Sequence, residues 1–404
     1  MPKSEIQNLL VIGIDTVSIA NSAKKAGYKI YVADYFGDMD LRCVCSGFKA
    51  IIKQKRGKSC GRMESKFKPE AFLKIAKSLS EKYKIDAILL SSGLDDDFNA
   101  LYELNDLAPI LGNSPRVIER VRKKPRFFKE LKRLGIAHPE TAIVKDIDEA
   151  KSSAARIGYP VVVKPVRGFG GDSIRTARNF KELERAFKIS FFSEEILVQK
   201  FINGLHASIS LLATTKDVKT LTINEQLLGL HFLFQQEPFG YCGNIVPLHI
   251  ADSTLKKCKH IAEKIALNFH FQGSNGIDLV ISKEGIPYVV EVNPRFQGTL
   301  ECVERVLGIN LVESHINACL QRSLPAIKEK TSIFCTRLIL YSPKRIIAPD
   351  LTPFREVKDV PFPESIIEKG EPLCSIITEE KNRNFSFQKA RKLAESVYNM
   401  LSPA

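Results

Sequence analysis

The sequence predicts an α/β protein whose N-terminal part is a doubly wound parallel sheet. Two observations carry that expectation. Early in the chain, short apolar runs alternate with stretches of helical spacing, which implies right-handed crossovers between parallel strands. Further on, strand-like runs follow one another with fewer helices between them, so a second, larger mixed lobe is expected.

Residues 9–14 are an apolar run followed by Asp15 and Thr16, read as a buried strand and a turn. A helix over 17–26 follows, stopped by Gly27. Residues 29–34 form a second strand, 72–82 have helical spacing, and 86–91 form a third strand. The first turn, Gly13-Ile-Asp-Thr-Val-Ser, lacks the glycine pattern of a dinucleotide fingerprint and argues against an NAD site. Residues 116–134 read as one or two basic helices ending at Gly135, and 146–157 as a short helix ending at Gly158. The run Pro160-Val-Val-Val-Lys164-Pro165 is a buried strand that ends on a lysine, with a glycine-rich loop, Arg167-Gly168-Phe-Gly170-Gly171-Asp172-Ser173, behind it. Residues 180–189 are helical, and strand-like runs lie at 196–201, 207–213, 221–228, 276–281 and 288–292. Helices are expected near 299–305 and 310–320, then Pro- and Gly-turned strands, then a closing helix near 386–401.

With 404 residues, 44% of them hydrophobic, the chain can bury a large core and suggests two or three domains. The expected division is 1–115, 116–325 with a small lid near 140–200, and 326–404. No apolar stretch is long enough to span a membrane, and the first residues carry no signal core, so a cytoplasmic location is expected. Nine scattered cysteines fit reduced thiols better than a disulfide frame. Cys43, Cys45 and Cys60 lack a nearby histidine or a second C-x-x-C that would make them a metal site. The formal charge of +14 concentrates in 49–62 and 116–133. Aromatics do not interleave with those runs, and there is no tryptophan, so a solvated surface with an anion-handling site is favoured over nucleic-acid binding.

Two constellations carry chemistry. Lys164 beside the glycine loop could place a point charge and backbone N–H groups on phosphate oxygens, or could be a strand-end lysine reaching solvent. In Tyr288-Val-Val-Glu291-Val-Asn293-Pro-Arg295, strand alternation puts Glu291 and Asn293 on one face. Asp278 stands on the preceding strand, and Lys283-Glu-Gly285 makes the turn of a hairpin. Hard oxygen donors on adjacent strands suit Mg²⁺, which takes one or two carboxylates and leaves its other positions to phosphate and water.

Taken with Lys124 upstream of Gly135-Ile-Ala-His-Pro139, with Val163-Lys164-Pro165, and with Leu197-Val-Gln199-Lys-Phe-Ile202, these residues resemble the ATP-grasp superfamily. Asp34-Tyr-Phe-Gly-Asp38-Met-Asp40-Leu, Gly112-Asn-Ser-Pro, Tyr241-Cys-Gly-Asn244-Ile-Val-Pro247 and Gln297-Gly-Thr-Leu-Glu301 are similar to a predicted ATP-dependent carboligase group related to biotin carboxylase. The chain carries no biotinyl-lysine segment of its own. The resemblance implies an N-terminal doubly wound domain, a lid and a larger α+β lobe with a C-terminal extension, ATP lying between lid and lobe. It implies that Lys124 and Lys164 contact the phosphates and that Gly168, Gly170, Gly171 and Ser173 close over them. Gln199 and Ile202 hold adenine. Asp278, Glu291 and Asn293 bind one or two Mg²⁺, with Mn²⁺ as the alternative ion, and Arg295 stabilises the transferred group. His206 stands where many relatives have a ribose-binding glutamate and reads equally as a ribose contact or a strand histidine. Asp278 stands where glutamate is common.

The expected activity is that of an ADP-forming carboxylate–amine ligase acting through an acyl phosphate. A bicarbonate-using carboxylase of biotin-carboxylase type and a non-catalytic nucleotide-binding module are the alternatives. Small-molecule acid and amine substrates, no membrane and a homodimer complete the expectation. Asp15, Asp34, Ser92, Asp95 and residues 241–244 are candidate acid or amine contacts.

Overall fold

The computed structural model describes residues 5–59, 68–168, 170–190, 195–327 and 331–404. A four-stranded parallel sheet is built from Asn8–Gly13, Lys29–Asp34, Gly47–Ala50 and Ala87–Leu90, with the Asn8–Gly13 strand between Lys29–Asp34 and Ala87–Leu90. Its strands are apolar along both faces because helices cover both; Leu9, Leu10, Val11 and Ile12 are all fully buried. Strand ends carrying Asp15, Asp34 and the 91–97 loop therefore gather at one edge.

A second four-stranded sheet, Thr141–Val144, Ile196–Lys200, Val161–Pro165 and Arg175–Ala177, packs against the helices Ile147–Ile157 and Phe180–Ser190. It forms the small subdomain expected of a lid. The largest sheet has eight strands and is antiparallel wherever its pairs are described. Its edge hairpin is Gly273–Ser282 with Pro287–Asn293, and its other end is built from Phe334–Tyr341, Pro372–Glu380 and Val357–Lys358. The C-terminal segment thus extends the large sheet itself.

Helix Asp252–Phe269 and helix Lys124–Arg133 cover one face of this sheet, where Phe127, Phe269 and Phe271 are fully buried. Each such side chain contributes about 1.5–3 kcal/mol by leaving water. The parallel sheet is fixed to the large one by polar contacts as well as apolar ones. Asn113 Nδ2 donates to Asn275 Oδ1 at 2.6 Å and to the Pro294 carbonyl at 3.0 Å. Ser22 Oγ donates to Glu304 Oε1 at 2.5 Å.

The basic run 116–134 resolves into two helices, Pro115–Arg122 and Lys124–Arg133. The break is at Lys123, whose extended backbone ends one helix, while Pro125 suits the first turn of the next. That break aims Arg122 and Lys124 inward, to 6% and 4% exposure, while Arg120 is half-buried over the Phe269 ring and the remaining cations of the stretch face water.

Candidate functional site

The site is built on the Gly273–Ser282 and Pro287–Asn293 hairpin. Its register sets Asp278 across from Glu291 and Gly276 across from Asn293, with an irregularity just after Asp278. Directly paired antiparallel residues share a face, so the two carboxylates and the amide project together. Asn293 Nδ2 donates to Asp278 Oδ2 at 2.8 Å, and Gln226 Nε2 donates to Asp278 Oδ1 at 2.9 Å.

Two cations from the 115–133 helices converge on Glu291. Lys124 Nζ donates to Oε1 at 2.7 Å and Arg122 Nη1 to the same oxygen at 2.5 Å. Burial alone would raise the Glu291 carboxyl, but Lys124, Arg122 and Lys164 together hold it well below the usual carboxylate range. Asp278 goes the other way. Burial and the like charge of Glu291 push it up to about 6. Lys164, brought in at the end of the Val161–Pro165 strand, is pushed down to about 8 by burial and by Lys124. Its field also includes Glu291 and Asp278, so small subdomain and large sheet meet at one charge cluster.

Arg295 Nε donates to both oxygens of Asp95, at 3.1 and 2.9 Å, and its Nη2 donates to Asn293 Oδ1 at 3.1 Å. Lys124, Lys164, Asp278, Glu291, Asn293 and Arg295 are thus brought together. Arg122, Asp96 and Gln226 stand among them although no motif in the sequence marks them. Asp95, expected as an acid or amine contact, stands there too, bound to Arg295.

The glycine loop is seated on the lobe. Gly170 accepts from the Tyr241 N–H at 2.9 Å. Gly171 has φ +80, and a Cβ there would lie 1.8 Å from the Phe239 carbonyl oxygen, so only glycine allows this approach. The Ser173 N–H donates to Glu237 Oε2 at 3.1 Å, and Arg175 makes a two-pronged ion pair with the same carboxylate, Nη2 to Oε1 at 2.9 Å. In this arrangement the Ser173 N–H is committed to Glu237, while Gly168 is exposed.

Residues 121–299 match the family model described as an ATP-grasp domain. That stretch holds Lys124, Lys164, the glycine loop and the whole hairpin of Gly273–Ser282 and Pro287–Asn293. Residues 121–299 are an ATP-grasp domain. The fold agrees over nearly the full chain. A biotin carboxylase of Campylobacter jejuni, solved as a β,γ-ATP complex, covers 98% of this chain and 92% of its own, with a TM-score of 0.74 at 19% identity. An L-amino acid ligase of Bacillus licheniformis covers 98% of both, with a TM-score of 0.68 at 18% identity. An uncharacterized protein of Methanocaldococcus jannaschii is 27% identical over 382 residues, 92% of this chain and 88% of that one. The carbamoyl phosphate synthase large chain of Helicobacter pylori is 25% identical over 307 residues, 74% of this chain but only 27% of that one. This chain therefore spans about a quarter of that relative.

Other anticipated contacts of the ATP-grasp domain lie around the cluster. Gln199 is buried on the Ile196–Lys200 strand, and its Nε2 donates to Thr141 Oγ1 at 2.8 Å. Ile202 lies just past the strand end, half-buried. His206 is on the Gly204–Ala213 strand, two residues from Ser208, which pairs with Asp278, so it faces the same side. Burial lowers its pKa, and its ring stands edge-on to Phe239 at 6.1 Å.

The strand-end candidates divide. Asp34 is consumed locally, accepting from Thr16 Oγ1 at 2.7 Å and from the N–H groups of Phe36 and Gly37 at 2.7 and 2.6 Å. It acts as a turn-former. Asp15 gives one oxygen to Arg337 Nη1 at 2.9 Å, while its Oδ1 is buried with no hydrogen-bond partner among the described residues. Tyr241 Oη donates to Asn244 Oδ1 at 2.7 Å. Gly298 lies beside all three: a Cβ there would be 3.4 Å from the Arg337 guanidinium, 3.4 Å from Tyr241 Oη and 3.8 Å from Asp15 Oδ2.

Cys60 lies outside the described residues, as does Phe169. Cys43 is exposed and Cys45 half-buried. Among the described residues no group of three or more His, Cys, Asp or Glu side chains is arranged to hold a metal. Asp278 and Glu291 nevertheless fit an ion completed by phosphate, since such a site needs only one or two carboxylates. Their mutual repulsion, which raises Asp278, is what a divalent cation would relieve.

Proposed function

We propose that the protein is an ATP- and Mg²⁺-dependent ligase that activates a carboxylate as an acyl phosphate for attack by an amine. The observation that carries this reading is the cluster in which buried Lys124 and Lys164 meet half-buried Asp278, Glu291 and Asn293 inside the ATP-grasp domain. The γ-phosphoryl group passes to the acid, forming a P–O bond as the bond to ADP breaks. The amine then attacks the carbonyl and phosphate leaves.

An anionic acid must approach an anionic phosphate, so the barrier is largely electrostatic. Lys124 and Lys164 bind the phosphates and offset that repulsion. Arg295, oriented by Asp95, meets charge on the transferred group. Mg²⁺, or Mn²⁺ on the same donors, would be held by Asp278, Glu291 and Asn293 and would neutralise charge on the phosphates. The glycine loop keeps water from the acyl phosphate. Adenine lies by Gln199 and Ile202 with His206 near the ribose, and acid and amine enter by Asp15 and Tyr241.

The working parts are 1–115, 116–325 with a lid over 140–200, and 326–404. Small-molecule substrates, a homodimer and a cytoplasmic setting go with this reading. None of the helices described is long and apolar enough to cross a membrane. An ADP-release screen over pooled carboxylic acids and amines tests the reading. ADP formation that needs both an acid and an amine supports it, and ADP formation indifferent to either contradicts it. Bicarbonate as the acid is the second reading, favoured by the fold likeness to biotin carboxylase. Product that disappears when CO₂ and bicarbonate are removed would select it.

A further inference from the structure

Three aspartates stand in a row in the loop between the Ala87–Leu90 strand and the Phe98–Leu107 helix. Asp97 acts locally and caps the helix, accepting from the Ala100 N–H at 3.1 Å. Asp95 and Asp96 instead each hold an arginine that belongs to the nucleotide side of the molecule.

Asp96 grips Arg122 with both oxygens, accepting from Nε at 2.8 Å and Nη2 at 2.6 Å. The third arm of Arg122 reaches Glu291 Oε1 at 2.5 Å. Asp95 takes Arg295 Nε, and Arg295 Nη2 reaches Asn293 Oδ1 at 3.1 Å, while Asn293 Nδ2 reaches Asp278 Oδ2 at 2.8 Å. Two parallel chains therefore run from neighbouring residues of one loop, Asp96–Arg122–Glu291 and Asp95–Arg295–Asn293–Asp278. Between them they end on all three side chains proposed as metal ligands.

A guanidinium held by a carboxylate at both Nε and Nη2 is fixed in plane and direction. Arg122 thus dictates how the Glu291 carboxylate turns. Lys124 and Arg122 share Oε1, and Oε2 carries no hydrogen bond from the described residues. The same loop is tied to the first strand end, since Ser91 Oγ donates to the Asp15 carbonyl at 2.5 Å and the Ile14 N–H donates to the Ser92 carbonyl at 2.9 Å.

We propose that Asp95 and Asp96 are positioning residues that aim the metal-binding side chains through Arg295 and Arg122, so that the metal site is formed only while the 91–97 loop is docked. The proposal rests on the nucleotide and metal reading given above. It makes the parallel-sheet edge, where the second substrates are expected, a determinant of metal affinity.

The test uses the full chain with Mn²⁺ as the metal and ADP as the nucleotide. Mn²⁺ affinity in the presence of ADP is measured by electron paramagnetic resonance, ADP affinity in chelator by calorimetry, and folding by thermal melting. Loss of an outer partner of a metal ligand typically weakens metal binding about 10–100-fold. Asp96→Asn and Asp95→Asn are each expected to weaken Mn²⁺ by about tenfold or more and to alter the bound-Mn²⁺ spectrum. ADP affinity without metal should change less than twofold, roughly, since neither residue reaches the phosphate lysines directly. Asp96→Glu, which keeps the charge, should recover part of the loss and serves where the asparagine variant melts too low. Wild-type protein that binds no Mn²⁺ with ADP removes the metal reading and the proposal together. Wild-type binding with unchanged affinity and spectrum in both folded variants overturns the proposal alone.

Discussion

Glu291→Gln tests the charge cluster through stability as well as activity. The carboxylate meets Arg122 at 2.5 Å and Lys124 at 2.7 Å, and those cations are only 4% and 5% exposed. Glutamine keeps an acceptor oxygen, so the change removes charge more than a hydrogen bond. Unit charges about 4 Å apart interact by about 4 kcal/mol at an effective dielectric of about 20. Removing one member of a buried pair costs about 3–5 kcal/mol because the other is left uncompensated. Arg122 retains Asp96, which places the expected loss near the lower end, about 3 kcal/mol. For a chain of this length that is a fall in Tm of about 4 °C. Denaturant unfolding of Glu291→Gln, Lys124→Met and the double variant is the assay. The double variant should be less destabilised than the sum of the singles by about 1–3 kcal/mol, since removing both partners leaves fewer bare charges. Strict additivity, with Glu291→Gln as stable as the wild type, would refute the electrostatic argument. The same variant should lose metal-dependent ADP formation, and unchanged turnover at saturating Mg²⁺ would sink the metal assignment.

Lys164→Ala should weaken ATP binding by at least about tenfold, the equivalent of one charge-assisted contact; calorimetry showing normal affinity would remove Lys164 from the site. Because burial and Lys124 push the free Lys164 down to about 8, while bound phosphate favours its charged form, nucleotide affinity should fall as pH rises above 8, with proton uptake on binding. Calorimetry in buffers of different ionisation enthalpy reads that proton, and its absence at high pH would contradict the assignment. Asp278, held up at about 6 by burial and Glu291, must be ionised to bind a cation, so Mg²⁺ affinity should weaken as pH falls below 6; a flat profile there would count against it as a ligand. Arg175→Met frees the glycine loop from Glu237 and should speed nucleotide release by about tenfold, the worth of a partly exposed two-pronged pair; an unchanged stopped-flow rate would show that this latch does not hold the lid.

Much of the site is legible in the sequence because its residues are local. Glu291, Asn293 and Arg295 lie on or just past one strand, and strand alternation fixes their common face; Lys164 ends a strand whose apolar run is evident. The hairpin turn at 283–285 is enough to bring Asp278 opposite Glu291. Arg122 is hidden by its surroundings: in a run of cations, nothing local marks it as one that turns inward with Lys124. Asp95 is marked only as a strand-end contact and Asp96 not at all, since their arginine partners are distant in sequence and meet them only when the sheets dock. Other features carry readable signals that the strand and helix patterns above pass over. Asp97 before Phe98 is a helix start, and Leu255, Cys258, Ile261, Ala262, Ile265 and Phe269 mark the apolar face of the Asp252–Phe269 helix through its lysines. The Gly47–Ala50 strand is short and half-buried at the sheet edge, so no apolar run announces it.

Carboxylate activation is tested most directly by following oxygen. With a responsive acid found by the ADP screen and labelled with heavy oxygen in its carboxyl group, each turnover with the amine should deliver one heavy oxygen into the released phosphate. Phosphate released without label, in step with ADP, would mean that water and not the acid accepts the phosphoryl group, and the acyl-phosphate account would be wrong.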